Sequence, residues 1–149
     1  MASILIVAHA PLASSLQAVA QHVFADCASR LACLDVEAGS DLDTVQAQVR
    51  AAVAALGVPE VIILADVFGA TPCNAAMAVA DGTHTRVVAG VNVPMVWRAL
   101  SYAGMPLDEL VSRAADGATQ GVIQGSGRRR QNQAHTPGKH DQVAHQDQQ

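Results

Sequence analysis

Short apolar runs that alternate with helix-periodic segments constrain the fold of this chain more than any other feature. The runs SILIVA at 3–8 and VIILA at 61–65 are apolar on both faces, as expected of strands buried in a parallel sheet. After the first run, apolar residues recur at helical spacing from Leu16 to Cys27, with Ser14 as the predicted N-cap. This alternation predicts an α/β fold, a doubly wound and mainly parallel sheet with helices on both faces.

The same alternation continues along the chain. Further strands are predicted at 31–36 and 86–91, and a short final strand at 122–123. Thr71 and Pro72 are a good N-cap and first-turn pair for a helix. The predicted helices after the first one run from Asp41 to Gly57, from Thr71 to about Ala80, and over about 95–103 and 107–116.

The composition changes at residue 125. A chain of 149 residues has room for one compact domain, and residues 1–124 carry nearly all of the large apolar side chains. Residues 125–149 contain almost none, so we expect them to form a disordered polar tail. Three histidines recur every five residues in this tail, a spacing that does not favour metal binding, and no metal site is predicted.

The charge is also uneven. Residues 1–124 hold five arginines and eleven acidic residues, a net charge of −6, which argues against nucleic acid as a ligand. Three cysteines without a CxxC pair favour reduced thiols. Neither a signal-peptide pattern nor a membrane-span pattern occurs in the sequence. We therefore expect a cytoplasmic protein.

A histidine and an aspartate follow the two most apolar strands. His9 ends the first run and Asp66 follows the second, and ligands bind at the carboxyl ends of strands in such sheets. A neutral imidazole can attack phosphorus through one ring nitrogen when a carboxylate holds the proton on the other. His9 and Asp66 are thus a candidate phosphoryl-acceptor pair. Predicted helix N-termini at 14 and 72 would offer N–H groups to the phosphoryl group.

Residues that follow the second apolar run could also bind the phosphoryl group. The Thr71 hydroxyl is a further donor, and the small residues Gly69 and Ala70 allow the backbone to approach a phosphoryl group closely. The motifs of P-loop, dinucleotide-binding and nucleophile-elbow proteins are absent. Turn and capping roles explain the same residues equally well, so spacing alone leaves both interpretations open.

Three motifs resemble those of the cytoplasmic IIA domains of the mannose-type phosphotransferase system (PTS). They are ILIVAHAPLASSL at 4–16, VIILADVFGATPCNAA at 61–76 and VVAGVNVPM at 87–95, and their order is similar over about residues 2–124. The resemblance implies a phosphotransferase component that accepts a phosphoryl group from the histidine carrier protein HPr. It would pass this group to a separate IIB component for sugar uptake.

The resemblance also implies a role for individual residues. His9 matches the phosphorylated histidine, expected to react through Nε2, and Asp66 matches the aspartate that orients the imidazole. Thr71 matches a hydroxyl residue of the phosphate site. Ala10 lies in that site where a glycine often follows the histidine, and Val67 lacks a hydroxyl that some members carry.

The family resemblance extends to assembly. Members often form homodimers, in some cases by exchanging a C-terminal strand, which residues 118–124 would supply here. No cofactor is implied, and contact with a membrane would be indirect, through a transporter complex. Two other functions stay open: a regulatory protein of an incomplete PTS, switched by phosphorylation of His9, and a domain in which His9 contacts a small-molecule ligand.

Overall fold

The computed structural model describes residues 1–127, in which strands and helices alternate. The order is β1 (Ser3–His9), α1 (Leu12–Val23), a 3-10 segment (Ala25–Ser29), β2 (Leu31–Val36), α2 (Leu42–Leu56), β3 (Val61–Ala65), α3 (Thr71–Val79), β4 (Thr85–Ala89), α4 (Val93–Ser101) and α5 (Leu107–Gln120). From residue 128 onward, the predicted disordered tail at 125–149 lies outside the described residues.

The four strands form one parallel sheet in the order β2-β1-β3-β4. The chain moves outward from β1 to β2 and then crosses back to β3 on the other side of β1. The strand order therefore reverses between β1 and β3, and this switch point is where open α/β sheets bind ligands. The predicted doubly wound parallel sheet is confirmed.

Alternate residues of the central strand pack on opposite faces of the sheet. Ile4 and Ile6 of β1 pack with α1, α4 and α5, whereas Leu5 and Val7 pack with α2 and α3. All four side chains are fully buried, and burial of one such side chain contributes about 1.5–3 kcal/mol. A strand that is apolar on both faces thus fixes helices on both sides of the sheet.

The predicted final strand at 122–123 is wrong for the described chain. Helix α5 runs to Gln120, well past the predicted end at 116, because its apolar face still packs on the core at Ala118. Val122 and Ile123 then follow without regular structure, with 77% and 82% of their surface exposed. Within residues 1–127, no helix has the length and hydropathy of a membrane span.

Two helix starts also differ from the prediction. Helix α1 begins at Leu12 with Pro11 as its N-cap, so Ser14 lies in the first turn and is not the cap. Helix α3 begins at Thr71 with Ala70 as its N-cap. Both differences shift the helix start toward the preceding strand, so each helix begins closer to the sheet edge that carries His9.

Candidate active site

His9 and Asp66 lie side by side at the switch point. His9 is the last residue of β1, and Asp66 directly follows β3, the neighbouring parallel strand. The Asp66 Oδ2 atom lies 2.6 Å from the His9 ring Nδ1 and also accepts the His9 backbone N–H at 2.9 Å. The other carboxylate oxygen, Oδ1, accepts the N–H of Val67 at 2.8 Å. The predicted pair is therefore in direct contact.

The environment of Asp66 favours the charged form of its carboxylate. Burial raises the pKa of Asp66, but the hydrogen bonds from His9 and Val67 outweigh it and hold this pKa below its usual value. An ionised Asp66 accepts the proton on Nδ1, so the lone pair of the imidazole lies on Nε2. The Asp66 side chain is only 11% exposed, whereas that of His9 is 52% exposed, which leaves the ring open to a reaction partner.

The start of α3 faces the same edge of the sheet without a cap. In the described part of the chain no side chain caps this helix, and Pro72 in its first turn has no N–H. The amides of Gly69 and Thr71 have no hydrogen-bond partner among the described residues. The Asn74 side chain donates to the Gly69 carbonyl at 3.0 Å and holds the turn against the helix. The loop after Asp66 thus presents unpaired donors where an anion would gain from the helix dipole.

The start of α1 is different, because the N–H of Ser14, where the sequence predicted a free helix N-terminus, is already paired. The Asp35 carboxylate, from β2, accepts the Ser14 N–H at 3.0 Å. The helix end is therefore already filled by an anionic group of the chain itself. The Ala10 N–H donates to the Val36 carbonyl at 2.9 Å, so this amide is not available to a phosphoryl group. A role of Ala10 at the phosphate site stays a prediction that its amide does not support.

Two residues near the site, Asp35 and Phe68, are not among those that the sequence predicted. The signal for Asp35 is a lone charged residue in the strand LACLDV, which is otherwise uncharged. Phe68, in the loop after Asp66, is 79% exposed, and no sequence pattern indicates this. Over residues 1–127, no three histidine, cysteine or acidic side chains are grouped so that they could hold a metal ion.

The fold and this site define a class of protein: an α/β domain with a histidine and its carboxylate partner at the switch point of a parallel sheet. The family EIIA-man, described as "PTS system fructose IIA component", matches residues 3–115. The match covers most of the chain, so the chain belongs to this family of PTS IIA components. The resemblance of the three sequence motifs to IIA components of the PTS is therefore confirmed.

Solved structures agree with this assignment. The mannose/sorbose specific IIA subunit from Enterococcus faecalis is 29% identical, with a TM-score of 0.76 over 85% of this chain and 96% of that chain. An EIIA component from Streptococcus agalactiae is 22% identical and shares the fold, with a TM-score of 0.74 over 83% and 97% of the two chains. A sigma-54 interaction domain protein from Enterococcus faecalis also shares it, at 15% identity and a TM-score of 0.67 over 80% and 91%. The comparison with curated proteins gave no match.

Proposed function

We propose that this chain is a phosphocarrier of the PTS, in which His9 accepts a phosphoryl group from an HPr-like protein and passes it to a separate IIB component. The observation that carries the proposal is the 2.6 Å contact between the His9 Nδ1 and the Asp66 Oδ2. This contact fixes the tautomer in which Nε2 is the nucleophile. Family membership supports the same function.

The reaction is a transfer between two imidazoles. The lone pair of the His9 Nε2 forms a bond to phosphorus while the bond between phosphorus and the ring nitrogen of the donor breaks, and its electron pair returns to the donor ring. The proton on Nδ1 stays with His9 throughout, held by Asp66, whose negative charge stabilises the positive charge that develops on the ring. The second transfer, to the IIB component, reverses these roles, and His9 returns to its neutral state.

The loop after Asp66 supplies the proposed phosphate site. The amides of Gly69 and Thr71 are unpaired within residues 1–127, Ala70 is small, and the Thr71 hydroxyl lies at the first residue of α3. Charge on the equatorial phosphoryl oxygens is stabilised by such donors and by the positive end of the helix dipole. The phosphoryl group would therefore lie toward α3 and not toward α1, where Asp35 already accepts the Ser14 N–H.

We place this carrier in the cytoplasm, where the transferred group reaches a membrane transporter only through the IIB protein. The carrier and regulatory functions share the first step and differ in the second. Phosphorylated chain mixed with a cognate IIB component loses its label to that component if it is a carrier. Retention of the label, with altered binding to a protein partner, supports the regulatory function instead.

A homodimer is a second part of the proposal. Among the described residues, edge strand β4 pairs with another strand on one side only, and a groove of about 470 Å³ lies between its carboxyl end, α4 and α5. Residues 118–120 of the predicted exchange segment 118–124 belong to α5, which leaves 121–124 for exchange. Val122 lines this groove, and Ile123 beside it is strongly exposed, so exchange of 121–124 between two copies would bury both side chains. Light scattering of wild type and Ile123→Asp tests this: we expect a dimer and a monomer, and a monomeric wild type would contradict it.

The phosphocarrier proposal is tested by intact-mass analysis. Wild type and His9→Ala are each incubated with phosphoenolpyruvate, the first enzyme of the system and HPr. We expect one acid-labile phosphoryl group on wild type and none on His9→Ala, which should fold normally because the side chain it removes is half exposed. If wild type gains no mass while another IIA protein in the same tube is phosphorylated, the proposal is wrong.

A further inference from the structure

Asp35 lies one strand away from the reacting histidine. It pairs in register with Ala8, the residue before His9, across the β1–β2 ladder. Its carboxylate reaches over to α1 and accepts the Ser14 N–H at 3.0 Å. Pro11, the N-cap of α1, has no side chain that can cap the helix. The cap of α1 therefore comes from β2, 21 residues further along the chain.

The connection that this cap controls is very short. Only Ala10 and Pro11 lie between the last residue of β1, which is His9, and the first residue of α1. The Ala10 N–H is held by the Val36 carbonyl at 2.9 Å. The Pro11 carbonyl accepts the N–H of Ser15 at 3.1 Å and its hydroxyl at 2.7 Å. Because this connection is short and hydrogen-bonded, a shift of the first turn of α1 would also move His9.

We propose that Asp35 is a positioning residue for phosphoryl transfer, which fixes the direction of the His9 ring by holding the first turn of α1 against β2. His9 then lies between two aspartates with different tasks. Asp66, at the end of β3, holds the ring and its proton, and Asp35, near the end of β2, holds the backbone that leads away from the ring. The proposal rests on the proposed function of His9.

The charge state of Asp35 fits this task. The Ser14 hydroxyl and the backbone amides of Ser14 and Ala13 hold the pKa of Asp35 below its usual value, against the opposing effect of burial. The carboxylate thus stays ionised at neutral pH and interacts favourably with the positive end of α1. Since the Asp35 carboxylate already occupies the start of α1, the phosphoryl group would bind at the start of α3, which no described side chain caps.

The chain offers a matched control in Asp41. Asp41 caps α2, where its Oδ1 accepts the Thr44 N–H at 2.8 Å and its Oδ2 accepts the Thr44 hydroxyl at 2.7 Å. Helix α2 follows β2 and does not connect to His9. Asp41→Ala therefore removes a similar cap from a helix that the proposal does not involve.

The test measures how fast His9 is phosphorylated by saturating phospho-HPr in wild type, Asp35→Ala, Asp35→Asn and Asp41→Ala, together with the unfolding temperature of each. We expect Asp35→Ala to be slower by about tenfold, because small errors in the placement of a reacting group are costly. Asp35→Asn keeps an oxygen that accepts the Ser14 N–H and should recover most of the rate. Asp41→Ala should lose similar stability and keep the wild-type rate.

Two results would overturn the proposal: an Asp35→Ala rate no lower than that of Asp41→Ala, or an Asp35→Asn rate as low as that of Asp35→Ala.

A measurement that needs no phosphoryl transfer distinguishes the positioning role of Asp35 from the proposed function of His9. The ¹⁵N shifts of the His9 ring nitrogens should change in Asp35→Ala and stay constant in Asp41→Ala. If wild type is not phosphorylated at all, the proposed function fails, and these shifts alone decide whether Asp35 positions the ring. Unchanged shifts in Asp35→Ala would reject that role.

Discussion

A single carboxylate oxygen of Asp66 holds both the backbone and the ring of His9. Oδ2 accepts the His9 backbone N–H at 2.9 Å and lies 2.6 Å from the ring Nδ1. The double contact ties the orientation of the imidazole to the carboxyl ends of β1 and β3. The nucleophile is therefore placed by the strand order itself, because β1 and β3 are neighbours.

Asp66→Asn tests the orienting contact. The amide keeps the size of the side chain but carries no charge, and its NH₂ group can donate to Nδ1, which moves the ring proton to Nε2. The wrong tautomer cannot attack phosphorus through Nε2, so we expect the rate of His9 phosphorylation to fall on the order of a hundredfold. Rapid-quench measurement of labelled protein gives the rate, and an unfolding curve controls for stability. An unchanged rate would remove the orienting role of Asp66.

Gly69→Ala tests the turn that leads into α3. Gly69 has φ +90°, and an added Cβ would meet no atom within 4 Å, so its cost is backbone strain and not a clash. We expect a loss of about 1–2 kcal/mol in the free energy of unfolding, measured with urea, and slower phosphorylation because the unpaired amides move. Gly82→Ala is the matched control, with φ +76°, equally open space and a position before β4 at the other end of the sheet. Equal rates in the two variants would show that the 69–71 turn does not bind phosphate.

Much of the fold follows from local sequence signals. Strands β1 and β3 are predictable because their residues are apolar on both faces, a pattern typical of short internal strands. Helix α2 is predictable because Asp41 caps its start and Gly57, with φ +62°, ends it. The contact of His9 with Asp66 is predictable in the same way, since both residues end neighbouring buried strands.

The rest depends on contacts that are distant in sequence. Ser14 fits an N-cap pattern, but the cap comes from Asp35 on another strand, and no local pattern indicates that choice. Val122 and Ile123 have strand-like side chains, yet a strand also needs hydrogen-bonded pairing with a neighbouring strand, and in the described chain these two residues pair with none. The sequence predicts the donors of the proposed phosphate site only in part, because whether a backbone amide is free depends on which helix start another side chain caps.

Asp81→Ala tests the acid stability of the loop before β4. The Asp81 Oδ1 atom accepts the amides of Thr83, His84 and Thr85 at 2.8, 2.7 and 2.9 Å, and these hydrogen bonds lower the pKa of Asp81 from 3.8 to about 2. Because the folded-state pKa is depressed, this stabilisation is present above pH 3.8 and is lost as the pH falls toward 2. We expect Asp81→Ala to unfold at a lower temperature at pH 7 and to lose less stability on acidification. Parallel pH profiles for wild type and variant would contradict this.

Removal of residues 126–149 tests whether the folded and reactive part ends where the sequence composition changes. The buried core runs from Ala2 to Ala114, and the proposed site uses residues between His9 and Asn74. All of these residues remain in the truncated chain, so we expect an unchanged unfolding temperature and an unchanged rate of His9 phosphorylation. The truncated chain also keeps Val122 and Ile123, so its molecular mass by light scattering should match the state of wild type. A lower unfolding temperature would show that the C-terminal residues pack on the domain, and slower phosphorylation at equal stability would assign them a part in recognition of the phosphoryl donor.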